Sequence, residues 1–362
     1  MPTITVRLGT ETYQITVAAG ALATLPDVLA GTCPAARYVV VADATVAGLY
    51  GEQVRSLAAT VAPADLLAFP AGERNKTREQ WQTITDAMAV LRVGRDGAVV
   101  ALGGGVTGDL AGFVAATYRR GIPFVQVPTT VLAMLDSSIG GKTGVDTPHG
   151  KNLVGTFHHP RAVVADVTLL RTLPAEHLRA GFAEGLKHGA VADRAHFEQL
   201  VGARDRLLAR DADALTEILA RSVAIKAGVV EEDAVELGRR AILNFGHTVG
   251  HALEAVSRYG VPHGEAVAAG MAVEAALGTA LGITAPDTHE SLVHALRAFD
   301  LPISVGTAGR EELLAAMQHD KKVRDGTVKF AFLKEIGQAA RSDLGEWTFS
   351  APREAVLAAL DA

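Results

Sequence analysis

A single cysteine, Cys33, is the whole thiol complement of this 362-residue chain. One thiol excludes an intrachain disulfide and a thiolate zinc cluster, and such sparing use of cysteine suits a reducing compartment. Beside Pro34 it reads as inert. Basic runs with interleaved aromatics are also missing, and the formal net charge is -6, so the electrostatic footprint of a nucleic-acid binder is absent. No uninterrupted apolar span reaches membrane length. The amino terminus, Met1-Pro2-Thr3-Ile4-Thr5-Val6-Arg7, has no basic stretch followed by an apolar core, which argues against a secretory signal. These absences predict a cytoplasmic protein with no nucleic-acid or membrane partner. Core material, in contrast, is plentiful: 49% of the residues are hydrophobic, ample for two domains or one large one.

The first half alternates strands and helices. Thr3 to Leu8 and Tyr13 to Val17 alternate in polarity across Gly9-Thr10-Glu11, which predicts a hairpin. Arg37 to Ala42, Leu66 to Phe69, Gly97 to Leu102 and Phe124 to Val127 are short strands of the buried kind, and Thr77 to Leu91 has helical period. Strand, helix, strand at this spacing argues for a parallel sheet covered on both faces. From about Pro174 strands nearly vanish. Leu215, Ile218, Leu219, Ser222, Ile225 and Val229 follow a helical period, and only a small hairpin is expected, from Thr327 to Leu333 and Trp347 to Phe349. The predicted boundary lies near Leu170 to Pro174, and the cleft between the halves is the expected ligand site.

Near the middle, Arg240, Asn244, His247 and His251 are spaced by four, three and four residues. On a helix that spacing makes one stripe of cation, amide and two imidazoles, flanked by apolar Ile242, Leu243, Phe245, Val249 and Leu253. His263 follows in Pro262-His263-Gly264-Glu265, past a helix end near Tyr259-Gly260. Two or three converging imidazoles suit a divalent metal, zinc foremost, which takes histidine nitrogen and carboxylate oxygen and keeps a position open in catalytic sites. A solvated face is the common explanation of an i,i+4 histidine pair, but it leaves Gly246 and Gly250 unexplained. Each glycine inside a helix costs about 1 kcal/mol relative to alanine, so these two predict close backbone approach or a helix start near Asn244. Upstream, Glu184 and Lys187 share a helical face in Phe182-Ala183-Glu184-Gly185-Leu186-Lys187-His188, a pattern usually explained by a salt-bridged surface. Because a catalytic zinc set wants a carboxylate, Glu184 is the expected third ligand, with His188 its weaker competitor.

Glycine loops carry the rest. After the strand Val99-Val100-Ala101-Leu102 comes Gly103-Gly104-Gly105-Val106-Thr107-Gly108-Asp109, where glycines and a helix amino terminus let backbone amides approach a phosphate. The glycines are consecutive and an acid follows, unlike the usual dinucleotide fingerprint. Asp136 to Gly144 and Gly150-Lys151-Asn152 offer fixed donors for a second anion, or else form a surface loop with solvated lysines. Gly72-Glu73-Arg74-Asn75-Lys76 follows a strand end at Phe69-Pro70, so Glu73 is placed to accept ribose hydroxyls at the carboxyl edge of the sheet.

Taken together, Gly103-Gly-Gly-Val-Thr-Gly-Asp109, Asp136-Ser-Ser-Ile-Gly-Gly-Lys-Thr-Gly-Val145, Gly150-Lys-Asn-Leu-Val-Gly-Thr-Phe157, Asn244-Phe-Gly-His-Thr-Val-Gly-His-Ala252 and His263-Gly-Glu-Ala-Val-Ala268 resemble the 3-dehydroquinate synthases, in order from about Glu73 to Lys322. The resemblance implies a homodimer. It implies an α/β, Rossmann-like parallel-sheet NAD-binding domain over residues 1–172, followed by a mostly α-helical metal- and substrate-binding domain over 173–362. The implied enzyme is a phosphorus-oxygen lyase of the shikimate pathway, dependent on NAD+ and on zinc or cobalt. It would release phosphate from a heptulosonate phosphate by transient oxidation, elimination, reduction and intramolecular aldol closure, recycling its cofactor.

Carried over residue by residue, the resemblance makes Glu184, His247 and His263 the metal ligands and leaves His251 as a general acid or base. NAD contacts become Asp43, Gly72, Glu73, Arg74, Asn75, Lys76, Gly105, Val106, Thr107, Gly108, Asp109, Thr129, Thr130, Lys142, Lys151 and Thr172. Substrate contacts become Asp136, Lys142, Asn152, Lys187, Lys226, Arg240, Asn244, His251 and one of Lys321 and Lys322. Lys226 and Arg240 would clamp the substrate carboxylate. Lys142, Asn152 and Arg120 would hold the leaving phosphate, with Arg120 reaching the neighbouring subunit. His188, where the family often has tyrosine, and His177, where a glutamate often meets the adenosine end, depart from the family pattern. A metal-dependent polyol dehydrogenase lacks use for so many anion-binding residues, and a cyclase of carboxylate-free substrates lacks use for Lys226 with Arg240. An inactive NAD-binding paralogue has no need of a complete metal set.

Overall fold

A computed structural model describes residues 1–9, 11–318 and 328–361. The chain forms two compact units: Met1–Leu173 with Leu215–Val223, and Pro174–Ala214 with Ala224–Ala362.

In the first unit, β1 (Thr3–Leu8) and β2 (Glu11–Ala18) pair antiparallel, as their alternation predicts. β3 (Arg37–Asp43), β4 (Ala64–Phe69), β5 (Gly97–Gly103) and β6 (Phe124–Pro128) add parallel neighbours. The stretch expected as glycine loops is instead an antiparallel hairpin of β7 (Lys142–Thr147) and β8 (Gly150–Phe157). β9 (Ala162–Asp166) then returns between β2 and β6, so the sheet order is β1-β2-β9-β6-β5-β3-β4. β5 is buried along its whole length, as a parallel strand covered on both faces requires.

Four helices cover the sheet: α1 (Leu25–Thr32), α2 (Glu52–Ala59), α3 (Arg78–Val90) and α4 (Gly105–Thr117). Thr77 starts α3 by accepting the Gln80 amide at 3.3 Å, a side-chain cap for an otherwise orphan donor. Ile84 and Met88 of α3 then join Leu110 and Val114 of α4 against Val39, Val41 and Val99 of the sheet. From β3 the sheet continues to β4 on one side and to β5 on the other. At such a switch point the carboxyl ends of the two strands leave a crevice for a ligand. Asp43 ends β3 there, and Gly103 ends β5.

The second unit is mostly helical: α5 (Ala175–Ala192), α6 (Arg194–Gly202), the outer parts of α7 (Ala212–Glu232), α8 (His247–Val256), α9 (His263–Ala280), α10 (Pro286–Ala298), α11 (Arg310–Gln318) and α12 (Arg353–Ala359). Val249 and Leu253 of α8, Val273 and Leu277 of α9, Leu313 and Met317 of α11 and Val356 of α12 share a core with Phe330 and Phe332. Two short pairs stand where one hairpin is expected: Lys329–Phe330 with Phe349–Ser350, and Leu333–Glu335 with Gln338–Ala339. Thr327 lies outside the described residues. Among them, no helix is long and apolar enough to cross a membrane.

Candidate active site

The stripe from Arg240 to His251 is not one helix. Arg239–Asn244 is a short 3-10 segment, Phe245 is extended, and α8 starts at His247 behind Gly246 in the left-handed region, φ 80°. A side chain at Gly246 would be strained by that backbone, and a Cβ would meet Met271 Cγ at 2.4 Å and the Val267 carbonyl oxygen at 2.9 Å. The expected face therefore divides, with Arg240 and Asn244 on one element and His247 and His251 on the next.

Three helices bring the expected ligands together. Glu184 of α5 is fully buried. Its Oε1 lies 3.4 Å from Nε2 of His247, the first residue of α8, and 3.4 Å from Nε2 of His263, the first residue of α9. α9 reaches α5 because Gly264 has no side chain; a Cβ there would be 2.0 Å from the Ala180 carbonyl oxygen. Ligand atoms bonded to zinc at about 2.0–2.1 Å in a tetrahedron are about 3.3 Å apart, so these spacings fit a divalent ion. The atoms behind the ligands fit too. His247 Nδ1 is 3.2 Å from the Phe245 carbonyl oxygen, and His263 Nδ1 is 3.1 Å from Glu254 Oε2, partners that leave Nε2 facing Glu184.

Burial and mutual charge set the protonation of these groups. Burial works to raise the Glu184 carboxyl, yet Lys187, paired with its Oε2, and the imidazoles hold it well below the usual carboxylate range. Burial, with Lys187 beside it, pushes His247 down to about 3, so its imidazole is neutral. Burial also opposes charge on His263, but Glu184 and Glu254 outweigh it and raise that group to about 10. The His251 ring lies 5.2 Å from that of His247 and 6.1 Å from that of His263. His251 could join Glu254 and His263 in an alternative metal set, but Glu254 already engages His263 Nδ1. His188 is buried on α5 and His177 is exposed.

Arg240 is buried, its amide donating to Asp233 Oδ2 at 3.0 Å and its guanidinium to the Ala234 carbonyl oxygen at 2.6 Å. Asn244 Nδ2 donates to Glu236 Oε1 at 2.7 Å, with Glu236 itself at φ 63°. Lys187 and Lys226 are buried. Lys321 and Lys322 lie outside the described residues. Glu236 and Glu254 were not expected from the sequence. Glu254 had a signal, standing three residues after His251 on the same helix, whereas nothing in the sequence marks Glu236.

In the first unit, Gly104 precedes α4 and Gly105 opens it, so the triple glycine does bridge a strand and a helix amino terminus. Thr107 Oγ1 donates to Asp43 Oδ2 at 3.5 Å, while Asp43 Oδ1 caps the next turn through the Thr45 and Val46 amides. The Thr129 amide donates to the Gly103 carbonyl, Thr130 Oγ1 caps Ala133, and the Thr172 hydroxyl meets Tyr50 at 2.7 Å. Gly72, at φ 101°, turns the chain into a short 3-10 segment of Glu73, Arg74 and Asn75. Lys76 follows, buried among Glu73 at 2.7 Å, Asp109 at 3.2 Å and Asp146 at 3.5 Å; Lys151 reaches Glu73 at 3.5 Å. Val106 and Gly108 lie on the first turn of α4, and Arg74 is exposed. Lys142 starts β7 and is exposed; Asp136 lies within a π-turn, Ala133–Ser137. Asn152 is held at φ 53° by its amide bond to Asp146 Oδ1, 2.9 Å. Arg120 is exposed at φ 69°. Asp146, which ties Lys76 to Asn152, is a further residue the sequence did not single out.

Known proteins resemble this chain over nearly all of its length. Residues 66–180 match the family model described as "3-dehydroquinate synthase N-terminal", and residues 181–323 the one described as "3-dehydroquinate synthase C-terminal". A 3-dehydroquinate synthase of Xanthomonas axonopodis pv. citri (strain 306) is 46% identical over 342 residues, covering 91% of this chain and 92% of that protein. Among solved structures, 2-epi-5-epi-valiolone synthase from Streptomyces hygroscopicus subsp. jinggangensis 5008, with NAD+ and Zn2+ bound, aligns with TM-score 0.87 at 32% identity over 98% of this chain and 97% of that one. A 2-deoxy-scyllo-inosose synthase complexed with carbaglucose-6-phosphate, NAD+ and Co2+ shares the fold, with TM-score 0.91 at 24% identity over 99% of each chain.

Proposed function

The chain belongs to the 3-dehydroquinate synthase family, and from that premise we propose that it is a lyase converting 3-deoxy-D-arabino-heptulosonate 7-phosphate into 3-dehydroquinate and phosphate, with NAD+ and a zinc or cobalt ion as cofactors. The observation that carries the metal part is the convergence of His247 and His263 on one oxygen of Glu184. A divalent ion held by these three would acidify the substrate hydroxyl, and NAD+ would accept and return the hydride.

The chain's own residues do the rest. His251, beside His247 and outside the proposed ligand set, moves the hydroxyl proton. Lys226 and Arg240 bind the carboxylate, and Asn244, oriented by Glu236, binds a substrate hydroxyl. Lys142, Asn152 and a partner copy's Arg120 hold the phosphate, so that the departing group can take the adjacent proton. Asp136 and Lys187 complete the substrate contacts, with whichever of Lys321 and Lys322 reaches the phosphate. The first unit would hold NAD+ at the switch point of the sheet, with the helix amino terminus at Gly105 to Asp109 offered to its phosphates and Glu73 to its ribose. This reading gives the cofactor to residues 1–172 and the metal to 173–362, and includes a cytoplasmic homodimer.

The test is turnover of the heptulosonate phosphate by purified protein with NAD+ and metal, following phosphate and NADH together. Stoichiometric phosphate with no net NADH supports the reading. NADH that accumulates, above all with a simple polyol, overturns it.

A further inference from the structure

Glu274 lies on α9, about three turns beyond His263, and its side chain is fully buried. An ionised carboxylate in such surroundings is costly unless it is hydrogen-bonded. Its carboxylate meets two backbone amides at the start of α8: Oε2 accepts from Gly246 N at 2.7 Å and Oε1 from Val249 N at 3.1 Å. These are orphan donors of a helix start, and Gly246 has no side chain with which to cap them. A carboxylate from the neighbouring helix therefore does the capping, at the end where the helix dipole favours negative charge. The backbones come close enough for this because Gly270 faces Gly246; a Cβ at Gly270 would be 2.0 Å from the Gly246 carbonyl oxygen.

The peptide unit between Phe245 and Gly246 has two uses. Its N–H donates to Glu274, and its carbonyl faces His247 Nδ1 at 3.2 Å. A carboxylate on the N–H polarises the peptide and strengthens its carbonyl as an acceptor. We propose that Glu274 is a positioning residue for His247, acting through the Phe245–Gly246 peptide to hold the imidazole with Nδ1 protonated and Nε2 toward Glu184. Each imidazole then has a buried carboxylate behind it: Glu254 directly on His263, and Glu274 by way of one peptide on His247. This inference rests on the metal reading proposed above, and outer partners of this kind set the orientation and basicity of histidine ligands.

The test is Co2+ titration of the metal-free protein, reading both the dissociation constant and the visible absorption band. Glu274→Gln puts an amide NH2 against one of the two donors and removes the charge. It is expected to bind Co2+ about tenfold or more weakly, with a shifted band. Val356→Ala, which loosens the same core from α12 and leaves the Glu274 hydrogen bonds in place, is expected to keep the parent affinity and band. If Glu274→Gln is recovered unfolded, Glu274→Asp, which keeps the charge but falls short of both donors, is titrated in its place and is expected to show the weakening. An unchanged constant and band in the Glu274 variant, or equal weakening in Val356→Ala, would overturn the proposal. A parent protein that takes up no Co2+ would overturn the metal reading and this inference with it.

Discussion

Glu254 faces His263 across two helices, its Oε2 3.1 Å from Nδ1. The helix that begins with His247 thus also orients the histidine that begins the next one. With the Nδ1 proton committed to Glu254, it is the Nε2 proton, shared with Glu184, that a metal ion would displace. Glu254→Gln should weaken divalent metal binding by about 10- to 100-fold, read by competition with a chelator of known affinity. An unaltered affinity would remove Glu254 from this role.

Lys187 and a metal ion compete for the same charge on Glu184. Both side chains are buried, and breaking such a pair costs about 3–5 kcal/mol. Lys187→Met should therefore destabilise the metal-free protein strongly and the zinc-loaded protein much less, because the ion neutralises Glu184 in its place. Thermal unfolding with and without zinc reads this as a larger metal-induced rise in the variant than in the parent. Equal rises would contradict it.

Asp146 gives the cofactor-side cluster a pH dependence. Burial raises its carboxyl to about 6, against the pull of Lys76 and the Asn152 amide, with Glu73 adding to the rise. A carboxyl whose folded value exceeds its unfolded value of about 4 binds extra protons in the folded state, so its stabilisation is present below about pH 4 and is lost as pH rises through about 6. Asp146→Asn keeps an acceptor for the Asn152 amide but does not titrate. Relative to the parent it should gain stability between about pH 4.5 and pH 7.5, by at most about 3 kcal/mol, in urea unfolding at the two pH values. Parallel stabilities would show that Asp146 carries no such shift.

The parts of this molecule legible in its sequence are those set by local chemistry. Continuous apolar runs such as Val99 to Leu102 announce buried parallel strands, and three glycines after such a run announce a close-packed helix start. The hairpin of Lys142–Thr147 and Gly150–Phe157 was not legible, because its glycines and largely exposed second strand imitate a loop. Spacing alone could not reveal that the Arg240 to His251 stripe breaks at Gly246, since a left-handed glycine and one admitting a neighbouring helix look identical in sequence. Glu236, Glu254 and Glu274 gain their roles from amides and imidazoles far along the chain or on another element. No local pattern predicts such partners.

The most direct test of the account is the metal content of His251→Ala and His247→Ala, purified identically and assayed for turnover. His251 and His247 are neighbours on one helix with rings 5.2 Å apart, and His247 Nε2 lies 3.4 Å from Glu184 Oε1. The account predicts that His251→Ala keeps its metal at the parent's stoichiometry while losing most of its turnover, and that His247→Ala loses both. A His251→Ala protein that comes away without metal would contradict the division of the two histidines.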